Sequence, residues 1–228
     1  MTEVQAILTR TVCAWAGVPL ADDEVTLRRD QLAAMVDGAG SIGTRHWHAR
    51  RSRKEAESWM MELISQWRGG VLKVDAERPL AVVARHRDTD GALLSERVAA
   101  VEMLNLLRPT VAVARFVIFA AMELLTHPEW RQRLQQEDSA LEPFAQEVHR
   151  LYAFFPFTAA RVRRDFEWRG YSFPKGARVL LDLYGTNRDT RLWDEPEAFR
   201  PERFATWNGS AFNFITQGGG DTATGHRC

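Results

Sequence analysis

Two cysteines, Cys13 and Cys228, stand at nearly opposite ends of the 228-residue chain. So few thiols exclude a disulfide framework and a zinc site built on clustered cysteines, and they fit a reducing compartment. An excess of either charge is also missing, because 30 lysines and arginines balance 30 aspartates and glutamates. No global field therefore draws the chain onto nucleic acid or an anionic membrane, and a charged ligand must be recognised locally. No internal repeat and no low-complexity linker divide it. The N-terminal MTEVQAILTRTVCAWAGVPL is no signal peptide, since Glu3 precedes it, Arg10 interrupts it, and Trp15 sits where small residues would be cleaved. It reads as an amphipathic helix, with Cys13 a buried apolar filler. The most apolar run, Val111 to Leu125, is cut by Arg115 and Glu123 and is shorter than a bilayer span. We expect no transmembrane segment and a cytoplasmic location.

What is present is enough apolar content, 45%, for a real core. From Thr2 to about Ile64 the apolar spacing is helical, interrupted by the turn DGAGSIG at 37–43. A central helix is expected over about 93–125, and another carries EPFAQEVHRLYAFF after Glu142. Beyond Pro156, RVRRDFEW and YSFPKGARVLLDLYG read as short strands. From Asn187 onward prolines, glycines and aromatics give an irregular segment too apolar to be disordered. The fold class is mainly α with a small β-sheet: a helical part over 1–142, then a helix, a sheet and an ordered loop region over 143–228.

Three constellations stand out. Glu147 and Arg150 are three apart on a helix and share a face. Taken singly, such a pair is a surface bridge of little energetic value, but Tyr152, Phe154, Phe155 and Phe157 follow at once. Next comes NRDTRLWDEPEAFRPERF, which no propensity rule requires. Last is QGGGDTATGHRC, whose glycines permit close backbone approach to a flat ligand. Its cysteine lies beside His226 and Arg227, positive neighbours that favour the ligating thiolate. The bland reading of that segment is a glycine-rich tail with an incidental cysteine.

In this order, ExxR, WxxPxxFxPERF and a glycine-rich loop ending in cysteine resemble the C-terminal half of a haem-thiolate cytochrome P-450. LLDLYGTN, FRPERF and QGGG with GHRC are similar to one bacterial branch, the hydrogen-peroxide-dependent fatty-acid peroxygenases. The resemblance implies the cytochrome P-450 fold across 1–228. It also implies a fragment, lacking the family's N-terminal part and the helix that follows the cysteine. Cys228 becomes the axial ligand of haem b iron, with Gln217, Gly218 and His226 as further haem contacts. Glu147, Arg150 and Arg203 become a buried triad organising the haem face, a role in which Arg200 could share. Val36, Ala39, Ala112, Phe154 and Phe155 become the acyl channel, although a larger aromatic is expected near position 39.

Ordinary members carry an acid and an alcohol midway along the central helix, where this sequence has Arg108 and Pro109. A proline there removes a hydrogen bond and predicts a kink. An arginine in so apolar a stretch needs an anion, either a buried Asp or Glu of the protein or a ligand carboxylate that its planar fork can grip. The resemblance implies the second: a fatty acid held by Arg108 whose carboxylate serves as the general acid-base group. Hydrogen peroxide is then the oxidant, no reductase is obligatory, and α or β hydroxylation or decarboxylation results. Arg115, two turns on, is a second possible anchor. The rivals are an ordinary reductase-dependent monooxygenase and a truncated, non-catalytic helical binding module. RHWHARRSRK at 45–54 raises nucleic acid and, through His46 and His48, metal. Glu55 and Glu57 follow directly, so it is read as a solvated helix start, with no nucleic-acid partner.

Overall fold

The structure is a computed structural model that describes residues 1–207 and 212–216. Its contacts divide the chain into two compact units, Met1–Val117 and Ile118–Cys228.

The first unit is helical, as the apolar periodicity predicts. It contains α1 (Thr2–Ala16), α2 (Val25–Asp37), α3 (Thr44–Arg68), α4 (Pro79–Arg85) and α5 (Glu96–Ala112). Each start has a local cause where the sequence supplies one. Pro79 opens α4 with its φ already set. Ser95 caps α5 by accepting a hydrogen bond from the Val98 amide at 3.2 Å, with Glu96 in the first turn. The buried faces of these helices meet in one core in which Leu32, Met60, Ile64, Leu80, Met103 and Leu107 are fully enclosed. In the turn between α2 and α3, a side chain on Gly38 would collide with the Cβ of Ala49, so glycine alone permits this approach of the two helices.

The expected central helix exists, but it is interrupted at Val113. α6 (Ala114–Thr126) resumes after that single residue. Pro109 has no amide to give to the carbonyl four residues back. One turn later the Val113 amide is shared between the carbonyls of Pro109 and Thr110, each at 3.2 Å, which tightens the turn and breaks the regular pattern. Taken together, Glu96–Thr126 is the one stretch among the described residues long and apolar enough to cross a bilayer. A core helix passes the same test, and Ala99, Ala100, Met103 and Leu107 are fully buried against the other helices of the first unit.

The second unit contains α7 (Pro128–Gln136), α8 (Leu141–Leu151), β1 (Phe157–Arg161), β2 (Phe166–Trp168), β3 (Tyr171–Phe173), β4 (Arg178–Asp182) and the single turn α9 (Leu183–Thr186). The strands form two antiparallel pairs. β1 runs against β4 with Phe157 opposite Asp182, and β2 runs against β3 with Phe166 opposite Phe173. The inner pair turns through Arg169 and Gly170, both at positive φ (48° and 78°), the primed turn that suits a two-residue hairpin. The Phe166 and Phe173 rings stack across it at 4.7 Å.

The centre of this unit is polar. Glu147 and Arg150 on α8 have no solvent exposure. Arg150 Nε donates to Glu147 Oε2 at 2.7 Å and Nη2 donates to Oε1 at 2.8 Å, a bidentate pair. Nη1 donates to the carbonyls of Asn187 (2.8 Å) and Pro196 (2.7 Å), and Nη2 also reaches that of Ala198 (3.2 Å). All five guanidinium donors are thereby satisfied.

Two outcomes follow from this packing. Arg150→Ala strips the buried Glu147 carboxylate of its bidentate partner, a loss of up to about 3–5 kcal/mol; a urea midpoint lowered by less than the equivalent of about 1 kcal/mol would sink the assignment. Cys13 is 1% exposed, and burial pushes its thiol up to about 12, against a small opposing pull from Arg28. At pH 8 only about one thiol in ten thousand is then the reactive thiolate. In a Cys228→Ser variant, native protein should take up no iodoacetamide over minutes and one equivalent after denaturation.

Candidate functional site

Arg203 joins the buried pair from the short helical turn Pro201–Phe204. Its Nε donates to Glu147 Oε1 at 3.3 Å, and Nη1 donates to the Asp194 carbonyl at 2.8 Å. Burial lowers the pKa of this guanidinium while Glu147 pulls it back up. The three residues expected as a triad therefore stand together. Arg200 contributes its backbone, whose amide donates to Glu147 Oε1 at 2.8 Å, while its side chain pairs outward with Asp194 and Glu195.

One carboxylate thus gathers α8 and the irregular segment 187–203. Trp193 lies beneath both guanidinium groups, 5.3 Å from Arg150 and 6.0 Å from Arg203, and packs among Phe204, Trp207 and Phe214. Asn187, fully buried, then fixes the start of the glycine-rich segment. Its Nδ2 donates to the Ile215 carbonyl at 2.8 Å, and its Oδ1 accepts from the Ile215 amide at 2.9 Å. Sequence reasoning missed this clamp. Its only trace is an asparagine closing a helical turn where a solvated polar residue would serve as well. Gln217, Gly218, His226 and Cys228 lie outside the described residues.

Two further groups in this unit titrate unusually. Burial and a hydrogen bond to Glu123 at 2.5 Å push the Tyr152 phenol up to about 12. Burial also holds the His149 imidazole below its ordinary value, against a pull from Glu142. Phe154 and Phe155, expected in the acyl channel, follow α8 as an edge-to-face ring pair 4.7 Å apart.

A cavity of about 220 Å³ in the first unit receives Arg108. α5 supplies Val101, Leu104, Asn105 and Arg108, spaced so that they form one face. The end of α2 and its turn supply Met35, Gly38, Ala39 and Gly40. Ala39 and Arg108 therefore meet, whereas Val36 and Ala112 are half-buried and stand outside the walls. Arg108 is half-buried and has no ion pair or hydrogen-bond partner among the described residues. Glu57 reaches the same cavity, but Arg53 holds it at 2.7 Å. Arg115 is different from what the sequence led us to expect. It pairs with Asp37 at 2.5 Å and does not line the cavity, so it provides no second anchor there.

The third wall is α3, through His46, Ala49, Arg50, Arg53 and Glu57. Sequence reasoning left these as a solvated helix start. The signal that finds them is their spacing: 46, 50, 53 and 57 repeat at four, three and four residues, one stripe of a helix. No group of three or more His, Cys, Asp and Glu side chains that could hold a metal lies among the described residues.

The cytochrome P450 family model matches residues 109–223. Among curated proteins, the chain is 37% identical over 98 residues to melianol synthase CYP71BQ4 of Citrus sinensis, covering 40% of this chain and 19% of that one. It is 29% identical over 151 residues to cytochrome P450 3A12 of Canis lupus familiaris, covering 58% and 30%. Solved structures match along nearly its whole length. Cytochrome P450SP alpha (CYP152B1) in complex with (R)-ibuprophen is 48% identical, with a TM-score of 0.88 over 100% of this chain and 56% of that one. Cytochrome P450EX alpha (CYP152N1) with myristic acid is 43% identical, with a TM-score of 0.88 over 99% and 55%. A variant of cytochrome P450 OleT in complex with arachidonic acid is 34% identical, with a TM-score of 0.90 over 100% and 55%. The chain thus spans little more than half of these solved proteins and less of the curated ones. Because the family match takes in the buried Glu147 and Arg150 pair, Arg203 and the clamp on Ile215, the chain belongs to the cytochrome P450 family.

Proposed function

We propose that this chain is part of a haem-thiolate peroxygenase that hydroxylates or decarboxylates long-chain fatty acids with hydrogen peroxide. The observation that carries the reading is Arg108: a half-buried guanidinium on a cavity that also has Met35, Ala39, Val101 and Leu104 in its walls, with no carboxylate partner among the described residues. Such a group is costly to keep unpaired. It favours a ligand that brings a carboxylate and an apolar tail. The three ligands named in the similar structures, myristic acid, arachidonic acid and (R)-ibuprophen, are all carboxylic acids.

The donor set fits haem. Cys228 offers a soft thiolate of the kind that holds haem iron in this family. The segment leading to it is rooted by the Asn187 clamp on Ile215 and by the aromatic cluster around Trp193. Gln217, Gly218 and His226 are the further contacts we assign. When bound, haem supplies the oxidising chemistry with hydrogen peroxide.

The chain's own residues do the rest. Arg108 binds the fatty acid's carboxylate and fixes that end of the molecule, so reaction is confined to the nearby α and β carbons. The same carboxylate supplies the general acid-base group that the chain does not provide at this position, since a guanidinium is no proton relay and Pro109 has no proton to give. Pro109 also sets the local turn that carries Arg108. Ala39 and Met35 offer an apolar wall for the chain of methylenes. No reductase is required on this reading.

The test is hydrogen-peroxide-driven turnover of myristate by the haem-reconstituted protein, beside its reduced, carbon-monoxide-treated absorption spectrum. Cys228→Ala should abolish the red-shifted thiolate band. Arg108→Ala should keep that band and lose about 10²- to 10⁴-fold in turnover, the usual contribution of a positioned acid-base group. Undiminished peroxide turnover by Arg108→Ala would overturn the role of Arg108. Turnover that needs a reductase and a nicotinamide would establish an ordinary monooxygenase.

A further inference from the structure

The basic stripe on α3 is left over once Arg108 is assigned. His46, Arg50, Arg53 and Glu57 line the Arg108 cavity, and the same four residues line a second, larger groove. That groove adds Trp47, Arg51, Lys54 and Arg97. The two spaces therefore share a wall, and cationic side chains line both.

Two of these cations are neutralised on the helix itself. Arg51 pairs with Glu55 at 2.8 Å and Arg53 with Glu57 at 2.7 Å. Arg50, Lys54 and Arg97 have no carboxylate partner among the described residues. In a chain whose formal net charge is zero, this is a local concentration of positive potential rather than a share of a general one. Arg50 is also held in place, its guanidinium lying 5.5 Å from the centre of the Trp47 ring. Trp47 is 66% exposed, an apolar plate at the groove beside the cation.

We propose that Arg50, supported by His46, Lys54 and Arg97, forms a carboxylate-capture station at the mouth of the Arg108 cavity. A fatty acid is first held there by its carboxylate, with its alkyl chain against Trp47 and Ala49, and is then passed to Arg108. This rests on the fatty-acid reading of Arg108. An exposed cation gives little binding energy at equilibrium, but a cleft lined by one sign of charge raises the encounter rate of an opposite charge by about 10- to 10³-fold. Salt suppresses that gain, because the screening length is about 8 Å at physiological ionic strength. The station therefore acts on association, and Arg108 on residence.

The experiment is stopped-flow binding of cis-parinarate, a fluorescent fatty carboxylate, with its methyl ester as the uncharged control, at low and high ionic strength. The expected result is that Arg50→Gln lowers the low-salt association rate for parinarate by about tenfold and flattens its salt dependence. The dissociation rate and all rates for the ester should stay unchanged. Lys54→Gln and Arg97→Gln should add smaller decrements. Arg108→Gln should show the converse, fast salt-sensitive association followed by fast dissociation. An unchanged association rate in Arg50→Gln, or an equal loss for the ester, overturns the station. If Arg108→Gln leaves dissociation unchanged while Arg50→Gln slows association, the reading of Arg108 and the transfer to it fail, and only carboxylate capture at Arg50 holds. If neither variant differs from the parent chain, both fall.

Discussion

The second unit depends on a carboxylate and a guanidinium removed from water together. Removing two charges from solvent costs several kcal/mol per ion, and their mutual attraction offsets that only if every remaining donor finds an acceptor. Arg150 meets the condition by gathering the carbonyls of Asn187, Pro196 and Ala198, three points on a segment with almost no regular structure. Glu147 gathers the same segment again through the Arg200 amide and Arg203. A segment rich in proline and poor in backbone ladders cannot organise itself by hydrogen bonds of its own. Here its polar backbone is satisfied from the core outward, by side chains of one helix. Loss of either charge therefore releases a whole loop region rather than one contact.

From that anchoring the route to the cysteine segment is short. Asn187 gives its carbonyl to Arg150 and its side-chain amide to Ile215. The same residue thus couples the buried ion pair to the root of the glycine-rich segment. Trp193, lying under both arginines and against Phe214, couples them a second time through packing. Two independent links of different chemistry define where the segment begins.

Much of this was legible in the sequence because it is written in short spacings. A pair three residues apart on a helix, the alternation of the strand segments and the order of the P450-like motifs all survive without tertiary information. Other features were not legible, because they depend on which face meets which. Arg115 is one: nothing local says that Asp37, 78 positions earlier, will neutralise it. The Val113 break is another. Pro109 announces a disturbance, but where the helix yields depends on which amide can share two carbonyls. The α3 stripe was readable in principle, but the charges beside it made solvation the simpler account.

The arrangement of charge in the first unit ties these observations together. Seven of its 14 arginines pair with a carboxylate, among them Arg28 with Glu24, Arg51 with Glu55 and Arg53 with Glu57 one helical turn away, and Arg115 with Asp37. Arg50 and Arg108 have no carboxylate partner among the described residues, and they share one cavity. Each by itself has a bland account, one as a solvated surface residue and the other as an arginine awaiting a protein partner. The one carboxylate in the lining of that cavity among the described residues, Glu57, is already paired with Arg53. Arg50 and Arg108 line a space whose walls also include Met35, Leu104 and Val101, so charge and apolar surface stand side by side in it.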